Sequence, residues 1–588
     1  MTTPAASRSE WGKYTASAHA SSQEHMHIAI CGSMTVAPIE PYLGAHLLRK
    51  GFSPTITIGP FSQLWDICFD HHAVLGSREP SAIVLLWRIE DLFPRLLSDG
   101  LGEPATLSDL HTELSRFAQA VAQLRRSFAG TIVVSTPPYP SVPGFDLTAV
   151  QAANTMAVFS SLYKFWMEAI SGIERVRVFD LHGLLTKVGF GQAHDNRKWL
   201  LYRQPYTEQL WFDAGRMIGR ILAAERISSK KCIVLDLDNT LWGGIVGEDG
   251  LEGIQLSDEF PGKAYRDFQR YLLHLKNNGI LLAVASKNNP GDAYEVFEKH
   301  DAMVLSRSDI THFEIHWESK VESIKRIAQT LDIGLDSLVF VDDSLKEIAE
   351  VSARLPEVTC IVVPEELADL PSLLASTELF DVAEITDEDR RRTEMITANI
   401  ARKQTQSTMS EEEFRQSLGL EIDVFTVDRQ HLARVTQLIN KTNQFNLTTI
   451  RRTQDEVEAL VASKDALVFG MHVRDKYGDY GLVGVAILKR HEATCIIDTL
   501  LMSCRVLGRG AENALFAAIG EGAAAFGCQI LQGKYVPTAK NAMVKDLYQR
   551  FHFTPGEAND WVLNVNEVPP ALPHVRVSMR IEVPAGLN

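Results

Sequence analysis

The sequence predicts an α/β chain: two doubly wound parallel-sheet domains in succession, followed by an α+β domain. Three observations predict it. Short apolar runs alternate with long amphipathic stretches twice over, across residues 26–226 and again across 227–380. A heavily charged stretch, 381–412, comes next. Beyond it, over 413–588, the apolar runs stand close together with few helical stretches between them. Alternating strands and helices indicate a parallel sheet covered on both faces, and closely spaced strands indicate antiparallel pairing.

Bulk properties fit that organisation. A chain of 588 residues is long enough for several domains, each with its own core. The net charge of −16 argues against general binding to nucleic acid or anionic membranes. Seven cysteines lie far apart and no CxxC pair occurs, so neither a zinc knuckle nor a disulfide framework is indicated. Buried thiols in a reducing cytosol are expected. Residues 1–25 are polar and small, with no apolar core of a signal peptide, and read as a disordered tail. No apolar run approaches the roughly 20 residues that a membrane span needs. The expectation is a soluble cytoplasmic protein.

In the first domain, strands are expected at His27–Cys31, Thr55–Ile58, Ala82–Trp87, Thr131–Ser135 and Val176–Phe179. Helical patterns lie at Glu40–Lys50, Leu107–Ser127, Ala149–Ile170 and Tyr206–Ala224. The second alternation places strands at Cys232–Leu235, Ile280–Ala285 and Ser337–Val341. Its helices are expected at Gly262–Asn278, Asp292–Lys299 and Ser319–Leu331. It ends near Phe380. The charged stretch 381–412 reads as a solvated helical linker. The third domain reads as a ladder of Ala466–Val473, Gly481–Leu488 and Thr494–Ser503. The helix Ala511–Phe526 and a late segment at Trp561–Val565 complete it.

The chemistry concentrates in the second domain. The run Ile233–Trp242 is a buried strand emptying into two carboxylates, Asp236 and Asp238. In a parallel sheet the carboxyl ends of the strands form the ligand crevice. Asp236 can act there as a nucleophile, and Asp238 can protonate a leaving oxygen and later deprotonate water. Thr240 can orient the loop. Further parts follow in chain order. Ser286 ends a strand and can hold a phosphate oxygen, with Lys287 and Asn288 beside it. Lys320 supplies a cation. Asp342 and Asp343 end another strand. Asp342 is expected to join Asp236 in holding Mg²⁺, a hard cation that prefers oxygen, with Asp238 and Asp343 as further ligands. This order resembles the four motifs of the haloacid dehalogenase superfamily.

A finer resemblance rests on longer stretches: VLDLDNTLWGGIVGEDG (234–250), ASKNN (285–289), FVDDSLKE (340–347), NKTNQFNLTT (440–449), GDYGLVGV (478–485), SCRVLGRG (503–510) and YVPTAKN (535–541). They resemble the FkbH-like family over residues 230–560, and more weakly the N-terminal domain through 34–43 and 195–199. The resemblance implies a protein of polyketide or nonribosomal peptide assembly. Such a protein takes a glyceryl unit from 1,3-bisphosphoglycerate, removes phosphate and transfers the unit as a thioester to the phosphopantetheine arm of an acyl carrier protein. Some positions depart from the family pattern. Ser344 and Leu345 stand where Asn-Pro is usual, Ile348 where Arg is common, and His316 where Asn is frequent. Ala285 replaces a frequent cysteine, which excludes an enzyme thioester at that position.

In the third domain, Arg505, Gly508 and Gly510 form an Arg-x-x-Gly-x-Gly turn opening a helix. Backbone amides there can bind a phosphate or pyrophosphate. The turn resembles the coenzyme A loop of GNAT-type N-acetyltransferases, so the domain is expected to dock the pantetheine arm. Cys504, immediately before the loop, is the candidate for an acyl-thioester intermediate; the competing reading is a buried strand cysteine. Asn440, Lys441, Thr442, Asn443, Gln444, Asn446, Thr448 and Asn541 are candidates for shaping the acyl channel, against a reading as a capped loop. In the first domain, Gly32-Ser33 with Asp180 and His182 resembles an SGNH hydrolase in part. The block lacks its aspartate and Asp-x-His is one residue short, so a non-catalytic scaffold or carrier-docking module is expected. Two further functional readings stay open. One is a phosphatase of a small phosphorylated metabolite whose flanking domains only bind. The other is an assembly module without activity.

Overall fold

The computed structural model describes residues 3–16, 24–94, 104–139, 149–227, 229–382, 385, 392–396, 398, 400, 413, 416–442, 444–503, 506–538, 541–556 and 560–582. The chain divides into two compact units, Met1–Ser229 with Leu374–Glu384, and Lys230–Leu373 with Ile385–Asn588.

The first unit is built on a parallel sheet of order β2-β1-β3-β4-β5. Its strands are β1 (Glu24–Gly32), β2 (Phe52–Ile58), β3 (Ala82–Leu86), β4 (Thr131–Ser135) and β5 (Val176–Phe179). Successive side chains of a strand face opposite sides, and both sides are buried here. Ile28 and Ile30 pack into the core that includes Leu43 and Ile218. Ala29 and Cys31 pack into the core that includes Phe117 and Trp166.

The polar run expected as a tail contains a helix, Pro4–Ala16. Trp11 pins it: the indole is 8% exposed and donates to Glu40 Oε1 at 3.2 Å. A Cβ on Gly44 would lie 2.3 Å from its ring, so only a glycine admits the indole there. One tryptophan in a polar run leaves almost no amphipathic pattern, which is why composition reads as disorder. Residues 374–384 join this unit through ion pairs. Glu378 meets Lys50 at 3.0 Å and Arg216 at 3.2 Å, and Asp381 takes both arms of the Arg220 fork at 2.7 Å.

The second unit carries two sheets. The first is parallel, of order β10-β9-β6-β7-β8. It comprises β6 (Cys232–Leu235), β7 (Leu281–Ser286), β8 (His312–Ile315), β9 (Leu338–Asp342) and β10 (Thr359–Val362). The second is mixed and eight-stranded, of order β16-β17-β15-β14-β13-β12-β11-β18. It holds β11 (Glu421–Thr426), β12 (Ala466–Asp475), β13 (Gly478–His491), β14 (Thr494–Met502), β15 (Ile530–Lys534), β16 (Thr554–Pro555), β17 (Asp560–Asn564) and β18 (Arg576–Arg580). Strands β11 to β14 pair antiparallel, as the closely spaced runs predict. β14 and β15 are parallel, joined by the helix Ala511–Ala525. The α/β and α+β classes expected from the sequence are therefore the ones observed.

The charged stretch 381–412 differs from expectation where it is described. Thr393 and Met395 are buried, Ile396 and Ile400 pack on the core around β6, β7 and β9, and Arg392 donates to the Gly279 carbonyl at 2.6 Å. A few apolar side chains spaced among many charges suffice to dock these described residues. Among the described residues, no helix is long and apolar enough to cross a membrane.

Candidate active site

Three parallel strand ends deliver the site. Leu235 is in register with Val341 on one side and Val284 on the other. The Asp236 amide donates to the Val341 carbonyl at 3.0 Å, which sets Asp236 beside Asp342. Ser286 closes β7 and is 4% exposed. Lys320 is the first residue of the helix Lys320–Leu331, whose N-cap is Ser319. Its ammonium lies 2.8 Å from Asp236 Oδ1 and 2.5 Å from Asp342 Oδ2, with the side chain 5% exposed. Four distant segments thus converge through strand register and one helix start.

Charge decides how the site behaves. Burial disfavours the Lys320 ammonium, but the carboxylates of Asp236 and Asp342 more than reverse that and raise its pKa. Burial, then the Asp236 charge, raises Asp342, against the pull of Lys320. Asp343 is raised by burial and by Asp236 in the same way. One ammonium therefore balances more negative charge than it carries. Asp236, Asp342 and Asp343 bring carboxylate oxygens within 4.8 Å of one another, with Asp343 exposed. An all-oxygen, over-anionic donor set open on one side fits a hard divalent cation.

Asp238, expected as a further ligand, is not one of those three, and both its oxygens take hydrogen bonds. Oδ1 accepts from Trp242 Nε1 at 2.9 Å and Val246 N at 3.1 Å, and Oδ2 accepts from Asn288 Nδ2 at 2.9 Å. Burial, with the Asp236 charge, raises its pKa against Val246 N, Trp242 and Lys320. A held carboxylate with a raised pKa suits proton transfer. Asn288 was expected to touch substrate; its amide is turned to Asp238, with Oδ1 fixed by the Asn289 amide at 2.9 Å. Asn239 adopts φ 53°, a left-handed conformation asparagine tolerates, and accepts from Gly244 N at 2.9 Å. Thr240 is fully buried, within the loop rather than at its surface.

Lys287 is paired with Glu347 at 2.7 Å. Sequence reasoning missed Glu347 and the Trp242 contact. The second carries a signal, a polar-tipped aromatic four residues after Asp238; the first joins residues 60 apart in sequence and carries none.

In the third domain Gly508 and Gly510 have φ of 73° and 91°, conformations that favour glycine, and Gly510 caps the helix Ala511–Ala525. Arg509 between them reaches Asp475 at 3.6 Å and lies over the Tyr480 ring. Cys504, Arg505 and Asn443 lie outside the described residues. Two described members of the polar cluster, Asn446 and Asn541, hold backbone. Asn446 donates to Thr442 O and accepts from Thr448 N and Thr449 N. Asn541 donates to Asn446 O and Val536 O, both at 2.9 Å, and accepts from Thr538 N. Both asparagines are fully buried. In the first domain, Ser33 donates to Asp91 Oδ2 at 2.9 Å, Asp180 caps the helix Leu181–Val188, and the His182 ring packs on Phe159. Among the described residues no hydrogen bond joins Ser33 to His182.

Comparison with known proteins agrees with the geometry. Residues 228–370 match the acid phosphatase family. They form a phosphatase domain of the haloacid dehalogenase type. The chain is also similar to a solved structure from Bacteroides fragilis, the N-terminal part of the protein BF1531 containing a phosphatase domain complexed with Mg. Identity is 25% and the TM-score 0.56, over 65% of this chain and 100% of that one. Two smaller structures match at low TM-scores. The ribosomal-protein-S18-alanine N-acetyltransferase of Escherichia coli is 11% identical, covering 26% of this chain and 97% of its own, with a TM-score of 0.20. A putative GNAT-family acetyltransferase of Desulfovibrio desulfuricans is 17% identical, covering 25% and 99%, with a TM-score of 0.21. No curated protein matches the chain.

Proposed function

We propose that this chain is a cytoplasmic, magnesium-dependent enzyme that converts 1,3-bisphosphoglycerate into a glyceryl thioester on the phosphopantetheine arm of an acyl carrier protein, for polyketide or nonribosomal peptide assembly. The observation that carries the phosphoryl half is the buried contact of Lys320 with both Asp236 and Asp342. The acyl half rests on the sequence resemblance and on the glycine turn at the start of the helix Ala511–Ala525.

Asp236, Asp342 and Asp343 would hold Mg²⁺, which supplies positive charge against an anionic phosphate. Asp236 attacks the phosphorus of the phosphate ester, and the ester P–O bond breaks. Asp238 gives its proton to the leaving alkoxide oxygen. It then takes a proton from the water that cleaves the aspartyl phosphate, which frees phosphate and restores Asp236. Ser286 and Lys320 hold the transferring phosphoryl oxygens, with Lys287 at the entrance. Trp242 and Asn288 keep Asp238 in place. At the acyl phosphate end a thiol loses its proton and attacks the carbonyl carbon, expelling phosphate and forming a thioester. Cys504 is the candidate relay, and the pantetheine thiol is the final acceptor. Arg505, Gly508, Gly510 and Asn443 are assigned to the pantetheine side.

The test incubates the full chain with 1,3-bisphosphoglycerate, Mg²⁺ and a holo carrier protein, then weighs the carrier. A gain of one glyceryl group supports the proposal. Phosphate release with an unmodified carrier would leave the alternative, a phosphatase of a small phosphorylated metabolite. Loss of transfer in Cys504→Ala with phosphate release intact supports the relay, and full transfer by that variant removes it.

A further inference from the structure

A second cluster of ligand-type side chains lies in the first unit, away from the phosphoryl chemistry in sequence and in role. His71 and His72 open the short helix His71–Leu75, which Asp70 caps by accepting from Ala73 N at 3.0 Å. Glu79 stands in the turn that leads into β3. His71 Nε2 lies 3.2 Å from one oxygen of Glu79, and His72 Nδ1 lies 3.3 Å from the other. Taking one donor atom from each residue, the three fall within 4.8 Å of one another. The two imidazole rings are 4.1 Å apart, tilted by 34°.

We propose that His71, His72 and Glu79 form a site for a borderline divalent transition-metal ion, Zn²⁺ in the first instance. The gathering of two imidazoles and a carboxylate carries the argument. Zinc binds imidazole nitrogen and carboxylate oxygen at about 2.0–2.1 Å, usually tetrahedrally, which puts neighbouring ligand atoms about 3.3–3.4 Å apart. The two histidines reach different oxygens of Glu79, so an ion between the rings would be held by the carboxylate through one oxygen or both, with one donor atom from each residue within 4.8 Å of the others. The donor set, two nitrogens and one carboxylate, is the kind that selects zinc over magnesium, which prefers oxygen alone.

Packing fixes one ligand and leaves the site open. His71 is 2% exposed, and its ring meets the Phe128 edge at 5.3 Å. The side chains of His72 and Glu79 are 57% and 45% exposed. Three protein ligands with one open position allow a water or a small anion as the fourth. Arg78, the neighbouring cation, reaches His25 at 3.4 Å. The competing explanation is a hydrogen bond from each ring to Glu79, in which the facing ring nitrogen carries a proton; a zinc ligand needs that nitrogen bare. The bound ion would tie the start of this helix to the turn before β3.

The test titrates the metal-stripped full chain with Zn²⁺ by calorimetry in saturating Mg²⁺, which occupies the carboxylate cluster. His72→Ala and Glu79→Gln are compared with the unaltered chain. Both positions are exposed enough for the variants to fold, and far-UV circular dichroism checks that they do. One zinc equivalent present in the unaltered chain and lost or weakened at least tenfold in both variants is the expected result. Cobalt(II) should give the intense visible absorption of four-coordinate sites in the unaltered chain only, while phosphate release in Mg²⁺ stays the same in all three. Equal zinc stoichiometry and affinity in all three proteins, or no zinc bound by the unaltered chain, would overturn the proposal.

Discussion

Replacing Lys320 with methionine separates the charge of this residue from its shape. The ammonium sits 2.8 Å from Asp236 and 2.5 Å from Asp342 in a nearly closed site. Without it, two buried carboxylates within 4.8 Å face each other uncompensated. At an effective dielectric of ~20 that repulsion is about 3 kcal/mol. Protonating one acid relieves part of it, since burial and Asp236 already raise Asp342. Lys320→Met should therefore lose up to about 3 kcal/mol of stability in metal-free buffer, read by urea unfolding at neutral pH. Saturating Mg²⁺ should restore more stability to the variant than to the unaltered chain, because a divalent cation takes over the neutralisation without having to compete with an ammonium. Phosphate release should still fall by orders of magnitude. Equal metal-free stability of the two proteins, or an equal response to Mg²⁺, would refute the electrostatic reading.

Three further outcomes are expected. Asn541→Ala strips buried partners from Asn446 O, Val536 O and Thr538 N, and should cost ~2–4 kcal/mol of stability by urea unfolding; unchanged stability with lost acyl transfer would return Asn541 to a channel role. His46 is buried, and burial, then the cations Lys50, Arg216 and Arg49, hold its pKa down to about 4 against the pull of Glu378. The unfolded chain takes up that proton first, near its ordinary value of 6.5, so stability falls as pH drops from there to 4, by about 3 kcal/mol in all, and His46→Gln should flatten that slope in thermal melts between the two pH values. Asn288→Ala should keep Mg²⁺ binding while lowering turnover about tenfold or more, since it frees Asp238 without touching the carboxylate cluster; an unchanged rate would show that Trp242 and Val246 suffice.

The convergence of Asp236, Lys320 and Asp342 was legible because each part announces itself locally. Asp236, Ser286 and Asp342 each end or follow an apolar run, and Lys320 follows a capping serine. A parallel sheet then brings such ends together whatever the loops between them do. The strand-rich third domain was legible for the same reason, through spacing. What escaped depends on tertiary context. The Lys287–Glu347 pair joins residues 60 apart, β11 is defined by pairing with β12 and β18, and β18 by pairing with β11. The helix Pro4–Ala16 is held by Trp11 alone among large buried side chains, so its composition resembles a tail. Asn446 and Asn541 read in the opposite direction: buried amides look like recognition chemistry, and these two satisfy buried backbone.

Trapping the covalent intermediate tests the central claim most directly. The chain is mixed with substrate and Mg²⁺, quenched in acid, reduced with borohydride to convert any aspartyl phosphate to homoserine, digested and sequenced by mass spectrometry. The label is expected at Asp236, and nowhere in Asp236→Asn. A label at another residue, or brisk phosphate release by Asp236→Asn, would contradict nucleophilic catalysis at this strand end.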